Sequence, residues 1–286
     1  KFFYMMYSTC RILQDAPISQ WSMHHFGISE KRWHALSNKS FWITGSGTGY
    51  GRCIAIALAA AGAQVFLTGR RYDKLEETLY EMKLLGIETE RCQLVPADIN
   101  DPTSVSGAVS VIQQACPNLY GLVHSAALPQ PIASPRALLQ ISEESWDKLM
   151  STNVTAAWRI TREITPHMLK GKALRILFLT SEAGWAFTPG FGPYNVSKAA
   201  LNNLGVSFAH EIASYYSEVD CQSNVLNPGE ARTEMNQGSD VNPCSVVSMT
   251  LTLLSHPSGG PNGHVFHRDG RHLSFAYSPE YKASLL

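Results

Sequence analysis

Tyr194 and Lys198 stand four residues apart in the stretch SEAGWAFTPGFGPYNVSK, with Ser181 thirteen residues upstream of the tyrosine. On a helix that opens near Tyr194, positions i and i+4 share a face, so the phenol and the ammonium project into the same space. A phenol ordinarily keeps its proton to a pKa of about 10, and a cation a few ångströms away favours the phenolate. The expectation is a tyrosine whose pKa is lowered by Lys198 and which exchanges a proton with a substrate oxygen. Ser181, delivered from the end of a strand, can hydrogen-bond that same oxygen. A chain with 11 Tyr and 10 Lys in 286 residues yields about 0.4 such Tyr–Lys pairs by chance. The pair therefore gains its meaning from the elements around it.

Those elements begin with Phe41–Thr44, an apolar run that reads as a buried strand. Gly45-Ser46-Gly47-Thr48-Gly49-Tyr50-Gly51 follows, then the helical run 54–61, a stop at Gly62 and a second strand over 65–68. A glycine-rich turn between a strand and a helix is a phosphate cradle. Glycine lets the backbone come close, and the helix end offers free N–H groups and positive potential. In dinucleotide-binding units an acid after the second strand holds the ribose 2′-hydroxyl. Here that position reads Gly69-Arg70-Arg71. Guanidinium groups suit a 2′-phosphate, which favours NADP over NAD; as the bland alternative, the arginines cap the next helix.

The alternation continues: helices over 73–85, 105–115, 142–168 and 194–214, and strands over 92–95, 119–123, 173–180, 220–226 and 264–267. Seven strands alternating with helices specify an α/β fold, doubly wound, with a mostly parallel sheet and helices on both faces. Residues 1–39, rich in aromatics and histidine, read as an N-terminal arm packed on the domain or on a second subunit. Residues 40–286 read as one dinucleotide-binding catalytic domain.

Composition excludes several classes. Lys plus Arg equals Asp plus Glu at 23 each, so no basic surplus argues for nucleic acid or an anionic membrane. The six cysteines are scattered singly and form no zinc or redox pair. They read as reduced residues of a cytoplasmic protein. His24 and His25 lack a third ligand, and no metal site is expected. The longest apolar stretch, 53–67, is broken by Gly62 and Gln64 and is not a membrane span.

With Thr44 to Gly51 fitting T-G-x-x-x-G-x-G, and Asp98, Asn153, Ser181, Tyr194, Lys198 and Asn227-Pro228-Gly229 in order behind it, the chain resembles the compact, single-domain branch of the short-chain dehydrogenase/reductase family, which has a Rossmann-type fold. The resemblance covers about residues 40–270. It implies hydride transfer between nicotinamide and a carbonyl or secondary alcohol. Tyr194 is then the acid/base, Lys198 the residue that lowers its pKa and holds the nicotinamide ribose, and Ser181 the group that polarises the carbonyl. Asn153 kinks its helix and holds a relay water. Asp98 and Ile99 flank the adenine, Pro228 and Gly229 frame the nicotinamide, and Thr233 contacts its carboxamide. Ser125 and Ala126 stand beside the cofactor. The departure is His124-Ser125-Ala126-Ala127, where the family usually shows N-N-A-G. Ser125 cannot make both amide hydrogen bonds, Ala127 adds a methyl, and His124 reads as a satisfied core residue, with a polar group near the nicotinamide as the alternative.

Two other readings stay open: a nucleotide-binding sensor or assembly protein without turnover, and an isomerase or dehydratase that uses the cofactor transiently. Trp185, Phe187 and Phe191 either line an apolar cleft, or pack under the loop or form subunit contacts. Residues 230–241 read as a mobile lid over the substrate. The resemblance further implies a homodimer or homotetramer joined through helices 142–168 and 194–214.

Overall fold

Strands buried on both faces cannot alternate apolar with polar residues, and the central strands here do not. Phe41, Trp42 and Ile43 are all shut off from solvent, as are Val65, Phe66 and Leu67, and Leu174 to Leu179. The computed structural model describes residues 13–129, 138–186 and 190–273. Two short helices come first, α1 (Ile18–Met23) and α2 (Glu30–His34). The alternating body follows: β1 (Ser40–Thr44), α3 (Gly49–Ala60), β2 (Gln64–Thr68), α4 (Tyr72–Leu84), β3 (Cys92–Leu94), α5 (Pro102–Ala115) and β4 (Gly121–His124). Next come α6 (Glu143–Met150), α7 (Ala156–Met168), β5 (Ala173–Leu179), α8 (Gly192–Tyr215), β6 (Asp220–Asn227), α9 (Val247–Leu254), β7 (Val265–His267) and β8 (His272–Leu273).

The sheet runs β3-β2-β1-β4-β5-β6-β7-β8. The first seven strands are parallel, as anticipated, and β8 adds an antiparallel edge. Two residues behind a tight turn carry no periodicity from which an eighth strand could be read. Chain order reverses between β1 and β4, and in such sheets ligands bind in the crevice at the carboxyl ends of the strands beside that point. Thr44 closes β1 in register with Thr68 of β2 and His124 of β4, so the turns after all three strands open onto one edge.

One apolar layer holds α3, α9 and the segment before β1, with Trp21, Phe26 and Leu36 fully buried in it. The other holds α5, α7 and α8. Gly205 lets α8 lie close on the sheet. A Cβ there would fall 2.7 Å from Val225 Cγ2 and 2.9 Å from Phe178 Cδ2, closer than packed carbons approach.

The continuous helix expected over 142–168 is divided by a π turn at Ser151–Thr155. A π turn inserts one residue into the α ladder and re-aims the side chains within it. Asn153 sits in that widened turn, buried against α8.

Candidate active site

The turn after β1 needs its glycines for two separate reasons. Gly45 has φ +68°, and a Cβ on it would meet the Ala126 backbone nitrogen at 2.7 Å; a Cβ on Gly51 would collide with the Gly45 carbonyl. The turn is therefore pressed against the β4 loop and leaves its outer side open. Thr44 Oγ1 joins the two by accepting the Ser125 and Ala126 N–H groups at 3.2 and 3.3 Å. No side chain caps α3, so its first N–H groups remain available to an anion. A cavity of about 410 Å³ lies over this turn, walled on one side by Arg70, Arg71 and Lys74 and on the other by Ile99, Asn100 and residues 125–129. A glycine cradle, an uncapped helix end and three cations fit a dinucleotide with a charged 2′ end.

Within this group, Gly45, Gly47, Thr48, Gly49, Tyr50, Arg70, Arg71, Ile99, Ser125 and Ala126 line the cavity. Ser46 and Gly51 do not; Ser46 is buried, and its hydroxyl donates to Thr68 O at 3.3 Å. Asp98 turns away as well, accepting the Asn100 N–H at 3.0 Å. Arg71 is already engaged: its Nη2 lies 2.6 Å from Glu234 Oε2, and Nη1 lies 3.4 Å from Oε1. Glu234 belongs to the cover segment after β6.

A second cavity, of about 430 Å³, adjoins the first and holds Ser181, Tyr194, Lys198, Pro228, Gly229 and Thr233. Ser181 leaves the end of β5, its hydroxyl accepting the Ala183 N–H at 3.2 Å, and it stands near enough to the Tyr194 phenol to favour the phenolate. Lys198 is 3% exposed; its Nζ donates to Leu179 O at 3.1 Å and stands 5.7 Å from the Tyr194 ring centroid. Burial pulls the ammonium down to a pKa of about 8. Burial also pushes the phenol above its ordinary value, opposed by Ser181. This corrects the expectation of a lowered tyrosine pKa. Desolvation of the phenolate outweighs the opposing effect of Ser181, so Tyr194 holds its proton at neutral pH.

Asn153 spends its amide on positioning. Its Oδ1 accepts the Leu128 N–H at 2.7 Å, and its Nδ2 donates to Leu128 O and to Ser197 Oγ, both at 3.1 Å. Ser197 in turn donates to Tyr194 O at 2.8 Å. The π turn, the β4 loop and the start of α8 are thereby pinned together directly behind the tyrosine.

Tyr50, Ser125, Ala127, Pro129, Thr233 and Met235 line both cavities, which form one groove. Tyr50 crosses it, donating to Gly229 O at 2.7 Å. His124 is the satisfied core residue expected. It stacks on Phe178 at 4.7 Å, and its Nε2 pairs with Thr161 Oγ1 at 2.8 Å. Burial holds its pKa at about 3, so it stays neutral.

A family profile described as short chain dehydrogenase matches residues 39–257. The chain belongs to the short-chain dehydrogenase family. Among its relatives, dehydrogenase/reductase SDR family member 4 of Bos taurus is 29% identical over 237 residues, covering 80% of this chain and 79% of the relative. Oxidoreductase UcpA of Salmonella typhimurium is 32% identical over 201 residues, 70% and 72% of the two chains. A putative short chain dehydrogenase from Shigella flexneri, solved in complex with NADP, superimposes with a TM-score of 0.72 at 25% identity, over 82% of this chain and 99% of that one.

As a short-chain dehydrogenase the chain shows groups that its motifs did not mark. Lys74, Asn100, Glu234 and Met235 line the first cavity. Arg268 donates to Pro228 O, Glu230 O and Ser245 Oγ, clamping both ends of the cover segment. Ser197 alone had a local signal, since it precedes Lys198 on the buried face of α8. Of the three aromatics placed before the tyrosine, Phe191 lines the second cavity and Trp185 packs against the core. Phe187 lies outside the described residues. Among the described residues no helix is long and apolar enough to cross a membrane, and no group of three or more His, Cys, Asp or Glu could hold a metal ion.

Proposed function

We propose that this short-chain dehydrogenase is an NADP(H)-dependent oxidoreductase acting on a carbonyl or secondary alcohol. The observation that carries this reading is the pairing of Ser181 with Tyr194 beside the buried Lys198, at one end of a groove whose other end presents Arg70 and Arg71. When bound, NADP(H) supplies or accepts the hydride; the protein's share is orientation, charge and the proton.

The glycine turn and the start of α3 hold the pyrophosphate. Arg70 and Arg71 hold the 2′-phosphate, Ile99 the adenine side, and Pro228, Gly229 and Thr233 the nicotinamide end. Ser181 and Tyr194 hydrogen-bond the substrate oxygen together. In the reductive direction Tyr194 gives its proton to that oxygen, and the charge left on the phenol is balanced by Lys198 in a site that excludes water. Asn153 keeps the tyrosine's helix end in register. The NADP complex of the Shigella flexneri relative supports the choice of cofactor. A protein that only bound nucleotide would have no use for a desolvated lysine under a phenol.

The test is NADPH consumption against a panel of ketones, aldehydes and keto acids, with deuterium at the transferable position of the nicotinamide. Product carrying one deuterium per NADPH consumed is the expected result. Tight NADPH binding with no turnover and no label transfer across the panel would sink the reading in favour of a sensor.

A further inference from the structure

The acid that dinucleotide sites place after the second strand is missing from that strand, yet a carboxylate stands there. Glu234 reaches it from 163 residues further along the chain and takes both Nη groups of Arg71. We propose that Glu234 is a specificity-determining gate: it occupies Arg71 until the 2′-phosphate of NADP(H) displaces it, and its displacement releases the cover over the phosphate turn. This rests on the reading of Arg70 and Arg71 as the 2′-phosphate site.

Three observations support it. The first is that the pair is cheap to exchange. Arg71 and Glu234 are 54% and 52% exposed, and ion pairs so open to water contribute little to stability. A phosphate monoester brings nearly twice the charge and three acceptor oxygens, so it outcompetes a carboxylate for the same fork. A ribose hydroxyl, all that NAD offers there, does not.

The second is that the neighbouring charges leave room for a phosphate. Lys74 is paired with Glu77, which also binds Arg52. Asp73 and Glu77 are the other acids that act on Arg71. Arg70 lines the same cavity and has no ion-pair or hydrogen-bond partner among the described residues. A phosphate between Arg70 and Arg71 therefore meets one uncommitted cation and one held by a replaceable partner.

The third is that Glu234 is mechanically part of the cover. It sits inside the turn closed by Thr233 and Asn236, each donating its N–H to the other's carbonyl at 3.0 and 3.1 Å. Thr233 lies against the phosphate turn: a Cβ on Gly49 would sit 3.2 Å from its Cγ2. Met235, the next residue, lines both cavities. A shift of Glu234 away from Arg71 moves the residues that roof both halves of the groove.

The experiment compares Glu234→Gln, Arg70→Ala, Arg71→Ala and wild type by calorimetric titration with NADPH and NADH. Amide exchange of residues 230–241 is followed with adenosine 2′,5′-bisphosphate or 5′-AMP as probe. Glu234→Gln is expected to bind NADPH about two- to fivefold tighter, with NADH changed less than twofold. Its cover amides exchange faster without any ligand. In wild type the bisphosphate accelerates exchange in the cover and 5′-AMP does not. The gate is overturned if Glu234→Gln binds NADPH no tighter than wild type, or if the bisphosphate leaves exchange in 230–241 unchanged, while Arg71→Ala still weakens NADPH. If Arg70→Ala and Arg71→Ala both bind NADPH like wild type, the phosphate site itself is wrong and the gate falls with it.

Discussion

The two ends of the groove use the same kinds of charge in opposite ways. At the adenosine end Arg71 and Glu234 are half exposed, and each stabilises the other's ionised form: the guanidinium pKa rises and the carboxyl falls, chiefly through their hydrogen bonds. At the catalytic end Lys198 and Tyr194 are both shifted by burial toward the neutral form. Water screens the first pair, so partners there can be traded at little cost. Little water reaches the second, so each charge is expensive and acts strongly on its neighbour. On the proposed function, recognition sits where charge is replaceable, and proton chemistry sits where it is not.

The sharpest way to break that contrast is at the phenol. Tyr194→Phe keeps the ring and removes the acid; turnover should fall by about 10³-fold or more, with NADPH affinity within twofold. A variant that keeps a tenth of wild-type turnover would show that the proton comes from elsewhere.

Lys198→Met tests the cost of the buried charge. Activity should fall by about 10²-fold, yet the variant should be more stable at pH 7. The lysine's pKa falls from its ordinary 10.5 to about 8 in the fold. Below about 8 both states carry the proton, and the folded state bears the full desolvation cost. Between 8 and 10.5 the unfolded state binds more protons, so wild-type stability rises with pH across that window. Removing the charge should add about 1–3 kcal/mol at pH 7, after the lost bond to Leu179 O is subtracted. Urea midpoints at pH 7 and 10 check this: the gap between variant and wild type should narrow at the higher pH. In wild type, kcat/KM for reduction should decline as pH rises through about 8, where the ammonium is lost.

Replacing both Arg70 and Arg71 by alanine should weaken NADPH by about 10- to 100-fold and leave NADH nearly unchanged; equal losses for both nucleotides would mean that the guanidinium groups do not read the 2′ position. The smallest effect is expected at the boundary between the ends. Tyr50→Phe removes the bond to Gly229 O and should cost about 1 kcal/mol of stability, with both substrates' KM values within about threefold. A selective effect on one KM would assign Tyr50 to one end only.

Much of this was legible in the sequence, for a physical reason. The βαβ unit, the glycine turn and the Tyr194–Lys198 pair are local patterns whose spacing reports geometry directly. Glu234 on Arg71, Arg268 under the cover and Asn153 on Leu128 are contacts between distant segments, and no periodicity encodes them. The phenol pKa was misjudged because the cation is visible in the sequence and the dryness of its surroundings is not. The π turn is invisible because its residues, Ser151–Thr155, are acceptable in an ordinary helix.

The cover's two ends are fastened differently. Its upstream end is held by Arg268, the residue after β7, which also reaches Ser245 Oγ past the downstream end. Its downstream end is tied to the chain's beginning: the Asn242 N–H donates to Gln14 O at 3.2 Å, and the Asn242 side chain donates to Ala16 O. Those two carbonyls lie well before residue 39, where the family profile begins. For anyone choosing where to cut this protein, the motif boundary and the mechanical boundary are therefore different places. A chain started at β1 would retain every residue of the groove and lose the mooring of its roof.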